Sequence, residues 1–301
     1  VTPLAEPSVF SSLEKALAAR HALVEEALRR YAPRGESPAV VTAAHETLFA
    51  PSKRLRPILA LLVAEVLGGT PRTILPAACA IEMVHTSSLI LDDLPSMDDA
   101  RERRGRPACH VAHGEATAIL AAFTLLNRGY EILAEGWPEG PDPALRAAIA
   151  ADLARAIGVT GMIAGQARDL AMTDRVIDFP TLEFIHSRKT GALFIAAAAL
   201  GAAGPHATAA DRLAVVAYAK NLGLAFQIVD DLIDATGVAG DAGKDVGQDS
   251  RKTTFVSFAG IEGARQLAAE LIEASLVALA PFGEPAQPLR DLARYVVARR
   301  R

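Results

Sequence analysis

Two acidic clusters are the residues best placed to do chemistry. Leu91-Asp92-Asp93-Leu94-Pro95-Ser96-Met97-Asp98-Asp99 puts four carboxylates within eight positions, directly after the apolar stretch 74–91. Like charges packed so closely repel unless a cation lies among them. Pro95 disfavours helix at Leu94, which predicts Asp92 and Asp93 in a last helical turn with Asp98 and Asp99 curling back from the loop. A second cluster, Phe226-Gln227-Ile228-Val229-Asp230-Asp231-Leu232-Ile233-Asp234, also closes an apolar stretch, and its Asp230 and Asp234 are four apart on one helix face. Acidic groups at a helix C-terminus oppose the macrodipole, again calling for a cation. Oxygen-only ligands imply a hard ion. Mg²⁺ takes one or two carboxylates and completes its octahedron with waters and substrate phosphates, so the expected substrate is a di- or triphosphate.

Basic residues supply the complement. Ser52-Lys53-Arg54-Leu55-Arg56-Pro57 precedes an apolar helix, and Arg101-Glu102-Arg103-Arg104-Gly105-Arg106 follows the first acidic cluster. Arg grips phosphate bidentately and Lys acts as a point charge. Each run alone is no more than a solvated surface; beside a metal site the pair implies more than one phosphate group. His85 lies seven residues before Asp92, two helical turns away on nearly the same face, where a phosphate contact competes with an ordinary packing role.

The elements that must position these groups read as helix after helix. The chain has 301 residues, 51% hydrophobic, 5% aromatic and 22% charged, and the apolar residues are mostly Ala, Leu, Ile and Val, a composition of tightly packed helices. Helix starts are expected at the capping box Ser11-Ser12-Leu13-Glu14, at Ser37-Pro38 and at Thr181. Segments are predicted over 12–31, 38–50, 55–67, 75–93, 115–135, 143–157, 160–172, 181–203, 208–235, 252–258, 261–281 and 288–299, with no strand. The breaks are short and none resembles a linker, so one domain over 1–301 is expected. The run 194–204 carries small residues on every face, which allows close helix approach at a bundle centre.

A net charge of −4 gives no overall basic field and argues against nucleic acid as a partner. Cys79 and Cys109 are too few for a disulfide framework or a thiolate metal site and fit packing roles in a reducing compartment. Residues 1–12 lack a secretory pattern, and the most apolar stretch, 193–204, falls short of the roughly 20 residues of a bilayer span. A cytoplasmic protein without a membrane span is expected.

Residues 53–254 resemble the trans-type polyprenyl synthetases, most closely bacterial geranylgeranyl diphosphate synthases. The resemblance rests on Glu82-Met-Val-His-Thr-Ser-Ser-Leu-Ile-Leu-Asp-Asp-Leu-Pro-Ser-Met-Asp-Asp99 and Gln227-Ile-Val-Asp-Asp-Leu-Ile-Asp234. It implies an all-α, single-domain helical bundle of the isoprenoid synthase type with a central apolar cavity. It also implies a homodimer that condenses an allylic diphosphate (dimethylallyl, geranyl or farnesyl) with isopentenyl diphosphate, using Mg²⁺ or Mn²⁺. At matched positions Asp92, Asp98, Asp230 and Asp234 resemble metal ligands, with Asp93 and Asp231 beside them. Lys53, Arg56, His85 and Arg104 match isopentenyl diphosphate contacts. Arg103, Lys189, Thr190, Gly191, Gln227, Lys244 and Lys252 match allylic diphosphate contacts, and the Gly-rich stretch 237–244 suggests a lid. Ser52 and Ala122-Phe123 depart from the family's frequent Gly and Gly-Asp, the latter beside the expected tail cavity. Ser88 and Ser87, four and five residues before Asp92, are small where short-chain members carry aromatic residues. The cavity is therefore expected to continue towards Val84 and Phe123 and to admit a C20 product, geranylgeranyl diphosphate, over the C15 farnesyl diphosphate.

Three rivals are weighed. A terpene cyclase would show a different second motif and no isopentenyl site. A non-catalytic subunit would have lost an acidic motif. A di-iron helical-bundle oxidase is suggested by Glu82-Met-Val-His85 and Glu183-Phe-Ile-His186, but it would need two further Glu residues and no phosphate-binding cations.

Overall fold

Local signals account for several of the element starts. The computed structural model describes residues 7–137, 143–204, 206–236 and 252–298, with side chains from residue 17 onward. Pro38 and Pro71 open α2 (Pro38–Leu48) and α4 (Pro71–Asp92) at positions where a missing N–H costs nothing. α1 (Pro7–Tyr31) begins at a proline as well, so Ser11 lies inside the helix and does not cap it. α9 (Phe179–Lys189) is capped by Asp178, whose side chain accepts from the Thr181 N–H at 3.0 Å, so Thr181 is inside the first turn rather than at its cap. A Thr254–Ser257 capping box opens α12 (Phe255–Ala278), and Gly260, at φ 71°, kinks it where two separate helices are expected.

The remaining helices are α3 (Leu55–Val66), α5 (Cys109–His113), α6 (Glu115–Glu135), α7 (Pro143–Ile157), α8 (Met162–Ala171), α10 (Gly191–Gly201), α11 (Ala209–Thr236) and α13 (Gln287–Ala298). The expected segment 181–203 is two helices, broken at Thr190. An unexpected antiparallel hairpin, β1 (Glu102–Arg103) and β2 (Arg106–Pro107), follows the first acidic cluster.

The architecture is a helical bundle. α4 packs against α3 and α6, and α11 against α10 and α12. α10 is buried along most of its length, as expected of a helix apolar on all sides. A second, smaller cluster of Leu182, Leu224, Ile228, Val229 and Phe255 ties α9 and α12 to the end of α11. Cys79 and Cys109 are both buried and unpaired, and burial pushes each thiol pKa up, consistent with packing roles.

The close approach expected for the small-residue run is real at Gly201. A Cβ there would lie 2.4 Å from the Ala60 carbonyl oxygen and 2.8 Å from Val63 Cβ on α3. Gly201→Ala is therefore expected to destabilise the fold by about 1–3 kcal/mol despite its better helix propensity. A thermal melt checks this: the midpoint should fall by several degrees, and an unchanged or higher midpoint would contradict it.

The expectation about apolar length needs correction. α4, α11 and the run Pro143–Ala171 are long and apolar enough to cross a membrane by length and composition. Residues 158–161 divide that last run into α7 and α8. In α4, 72% of the apolar window is buried inside the bundle, where its hydrophobicity is used for packing.

Candidate active site

The end of α4 carries the first acidic pole. Asp92 is its last residue, and the loop after it folds back so that the Asp98 N–H donates to the Asp92 carbonyl at 3.0 Å and the Asp99 N–H to Leu94 at 3.1 Å. Asp98 thus returns beside Asp92. Two lysines meet them: Lys189 Nζ lies 3.2 Å from Asp92 Oδ1 and 3.8 Å from Asp98 Oδ2, and Lys252 Nζ lies 2.7 Å from Asp98 Oδ1. Both ammoniums share Asp169 Oδ2, at 2.9 Å and 3.0 Å.

Asp169 is a site residue that the sequence reading missed. Burial alone would raise its pKa, but Lys189 and Lys252 outweigh that and hold it below the usual carboxylate range. Burial would likewise lower Lys189, and Asp92, Asp169 and Asp98 reverse it, so the ammonium stays charged. Gln166, one turn earlier on α8, donates to Asp92 Oδ1. The available signal was Gly165. A Cβ there would lie 2.2 Å from the Lys189 backbone nitrogen, so only glycine lets α8 seat against the last turn of α9.

The second pole lies on α11. Asp230 lines the same cavity as Asp92, and Asp234 is half-buried one turn further on. Asp231 does something different: it is buried, accepts from Gln227 Nε2 at 3.0 Å, and accepts from the Phe255 N–H at 2.8 Å, fastening the start of α12. Thr190 Oγ1 donates to Gln227 Oε1 at 2.9 Å, so the break between α9 and α10 is tied to the same chain of bonds. Asp93 also turns inward, paired with Arg103 through Nε at 2.9 Å and through Nη2. Burial raises the Asp93 pKa more than Arg103 lowers it. Neither Asp93 nor Asp231, expected beside the metal ligands, lines the cavity, and each holds a neighbouring element; of the four expected metal ligands Asp92 and Asp230 line it, while Asp98 and Asp234 do not.

Basic groups form another part of the lining, with Asp230 near enough to act on Arg56. Arg56 Nη1 donates to His85 Nε2 at 3.1 Å, and the Arg56 guanidinium stacks 4.7 Å from the Phe194 ring. Burial pushes Arg56 down to about 10 and pushes His85 well below its ordinary value, the latter reinforced by Arg56, Arg104 and Arg103. His85 is therefore neutral, with Nε2 accepting and its proton on Nδ1. Arg104 enters this wall from the hairpin turn, where Arg104 (φ 56°) and Gly105 (φ 71°) both take left-handed conformations. Burial lowers the Arg104 pKa too. Lys53 lines the rim. Lys244 and the expected lid, 237–244, lie outside the described residues.

Between these walls is a cavity of about 630 Å³, within the usual range for small-molecule sites. Leu89, Leu91, Ile163, Leu170, Leu193 and Phe226 give it an apolar lining. Ser88 faces it, with its hydroxyl donating to the His85 carbonyl at 2.8 Å. Ser87 does not: it is buried against α6 and donates to the Ala122 carbonyl at 2.8 Å. Phe123 is 60% exposed on the outer face of α6 and forms no wall of this cavity, contrary to expectation.

Among the described residues no three His, Cys, Asp or Glu side chains converge as a preformed metal cage. Two separated oxygen-only clusters suit Mg²⁺, which leaves most of its coordination to water and phosphate. They do not suit a di-iron centre. Glu82 is paired with Arg54 at 2.7 Å, and burial holds His186 down at about 4 where its ring packs 5.1 Å from Phe255.

Comparison with known proteins gives one answer. A family model described as polyprenyl synthetase matches residues 38–276. The geranylgeranyl diphosphate synthase of Cyanophora paradoxa is 39% identical over 285 residues, covering 93% of this chain and 94% of that protein. The farnesyl diphosphate synthase of Geobacillus stearothermophilus is 41% identical over 267 residues, covering 88% and 90%. Among solved structures, an apo FPP/GFPP synthase from Zymomonas mobilis matches with a TM-score of 0.85 at 35% identity, over 95% of this chain and 99% of that one. Fold and whole-length similarity agree: the chain belongs to the polyprenyl synthetase family.

Proposed function

We propose that this chain is a Mg²⁺-dependent prenyltransferase that condenses an allylic diphosphate with isopentenyl diphosphate to give geranylgeranyl diphosphate. The observation that carries the reading is one apolar cavity with two distinct poles. One is the acid–lysine pole, where Asp92 and Lys189 line the cavity and Asp98 and Lys252 join them through ion pairs; the other is the cationic wall of Arg56, His85 and Arg104.

Mg²⁺, for which Mn²⁺ can substitute, would be held by Asp92, Asp98, Asp230 and Asp234 and would neutralise negative charge on the departing diphosphate. Lys189 and Lys252, resting on carboxylates in this structure, are the ammoniums among the described residues that would pair with that diphosphate. Lys53, Arg56, Arg104 and the neutral His85 hold isopentenyl diphosphate across the cavity. The allylic C–O bond breaks, the isopentenyl double bond attacks the resulting cation, and a C–C bond forms. The proton then lost passes to the released diphosphate, so no side-chain base is needed. The apolar lining keeps water from quenching the cation.

Incorporation of labelled isopentenyl diphosphate into an acid-labile product tests this reading. It should require an allylic starter, stop with a chelator and return with Mg²⁺; no incorporation under any of these conditions would refute it. The two substrate poles should also separate by mutation. Arg56→Ala or His85→Ala is expected to raise KM for isopentenyl diphosphate by about tenfold or more, and Lys189→Ala mainly that for the allylic partner. Equal effects on both substrates from all three changes would contradict the two-pole assignment.

A homodimer is part of the proposal. Leu120 and Phe123 on α6 are 54% and 60% exposed and lie together on one outward face, an apolar patch suited to a second copy. A sedimentation mass near 31.6 kDa would contradict it. The cytoplasm, a reducing compartment, fits the two unpaired cysteines. Retention of both pools of product and protein in a membrane fraction would count against a soluble cytoplasmic enzyme.

A further inference from the structure

Arg54 sits between Lys53 and Arg56 in the sequence, yet its guanidinium is engaged entirely by protein. It is 1% exposed. Its Nε donates to Glu25 Oε1 at 2.7 Å, Nη1 donates to Glu82 Oε1 at 2.7 Å, and Nη2 donates to the Leu48 carbonyl. These acceptors come from α1, α4 and the end of α2, so one side chain joins three helices at the base of the loop that enters α3. Burial works to lower the Arg54 pKa, and Glu82 with Glu25 outweighs it, so the clamp stays ionised.

The backbone is constrained at the same place. Arg54 holds a left-handed φ of 50°, a conformation unfavourable for a residue with a Cβ and one that persists where surrounding bonds over-determine it. Ser52 Oγ accepts from the Arg54 N–H at 3.3 Å, and the Ser52 carbonyl is bonded to His21 Nε2 at 2.8 Å. The segment carrying Lys53 and Arg56 is therefore fixed by bonds to other helices made at the cavity wall itself, where Ser52, Arg54 and Glu82 are lining residues. Among the described residues Arg56 has no comparable anchor: its contacts are His85 and the Phe194 face, and its Nε is buried without a hydrogen-bond partner there.

We infer that Arg54, clamped by Glu25 and Glu82, is a positioning residue that fixes Lys53 and Arg56 on the cavity wall and so sets affinity for the isopentenyl substrate. The inference rests on the reading of Lys53 and Arg56 as isopentenyl diphosphate contacts. Lysine cannot replace Arg54, because its three donors radiate from one atom and cannot reach acceptors on three helices in a fixed plane. Glu25 is the gentler lever: its side chain is 20% exposed, and Arg54 keeps Glu82 and Leu48 when it is neutralised.

The test is steady-state kinetics of Arg54→Lys and Glu25→Gln with each substrate varied in turn, alongside Arg56→Ala and thermal melts. Arg54→Lys is expected to raise KM for isopentenyl diphosphate about tenfold and Glu25→Gln about threefold, with the allylic KM and kcat within about threefold of wild type. A purely structural role would lower the melting midpoint or the active fraction without separating the two KM values. Unchanged isopentenyl KM in both clamp variants, or equal rises in both KM values, would overturn the inference. If Arg54→Lys fails to fold, Glu25→Gln decides alone, and an unchanged isopentenyl KM there overturns it. If Arg56→Ala also leaves that KM unchanged, the assignment of the cationic wall has failed and the inference falls with it. A rise for Arg56→Ala alone sinks only the inference.

Discussion

Asp92→Ala or Asp230→Ala is expected to reduce turnover by about 10²–10³-fold or more while leaving the helical circular-dichroism signal intact. Asp92 ends α4 at the cavity, and its partners Lys189 and Gln166 both come from other helices. Removing its carboxylate leaves Lys189 paired with Asp169 at 2.9 Å, so no ammonium is stranded and the fold should survive. What is lost is one of the carboxylates that would hold the metal on the departing diphosphate, an interaction that matters most as charge develops. The same holds for Asp230 on the facing helix. Asp93 and Asp231 are different in kind: each is buried in a bond to a neighbouring element, and their loss should act first through stability. Near-wild-type turnover in either the Asp92 or the Asp230 variant would remove the metal assignment.

Ser88→Phe is expected to shorten the product from C20 to C15 or C10. The tail must leave the acid–lysine pole along α4, and Ser88, one turn back from Asp92, faces the cavity. One helical turn is about 5.4 Å, close to the length of one isoprene unit. An aromatic ring at that turn therefore removes space for roughly one condensation. Ser87→Phe should behave otherwise. Its hydroxyl is bonded to Ala122 in the packed α4–α6 contact, so an aromatic ring there overpacks the core at about 1–3 kcal/mol before it reaches any substrate. An unchanged product from Ser88→Phe would place the floor on other helices.

Both acidic clusters were legible because like charges demand a shared partner, and the helix-end position of the first because Pro95 forces the chain out of helix. The order of helices was legible because Ala- and Leu-rich runs are punctuated by Pro and Gly. What escaped was tertiary. Asp169 is an ordinary helix residue in sequence and becomes part of the site only because Gly165 lets α8 meet the end of α9. The hairpin was missed because its two-residue turn is Arg104-Gly105, and a left-handed Arg carries no sequence signature. Arg54 hid for the same reason, its role set by acceptors at positions 25, 48 and 82. The break at Thr190 follows the polar stretch His186-Ser187-Arg188-Lys189, has no proline, and is tied to Gln227 on another helix. The inward turn of Ser87 followed from a contact with α6 that spacing from Asp92 alone does not encode.

The central claim is that this cavity elongates an allylic chain to C20. Purified protein incubated with Mg²⁺, isopentenyl diphosphate and each of dimethylallyl, geranyl and farnesyl diphosphate, followed by dephosphorylation and product identification, tests it most directly. The account predicts geranylgeraniol as the main alcohol from all three starters. Farnesol as the main alcohol from the dimethylallyl and geranyl starters, no elongation of any starter, or a cyclic hydrocarbon formed without isopentenyl diphosphate, would contradict it.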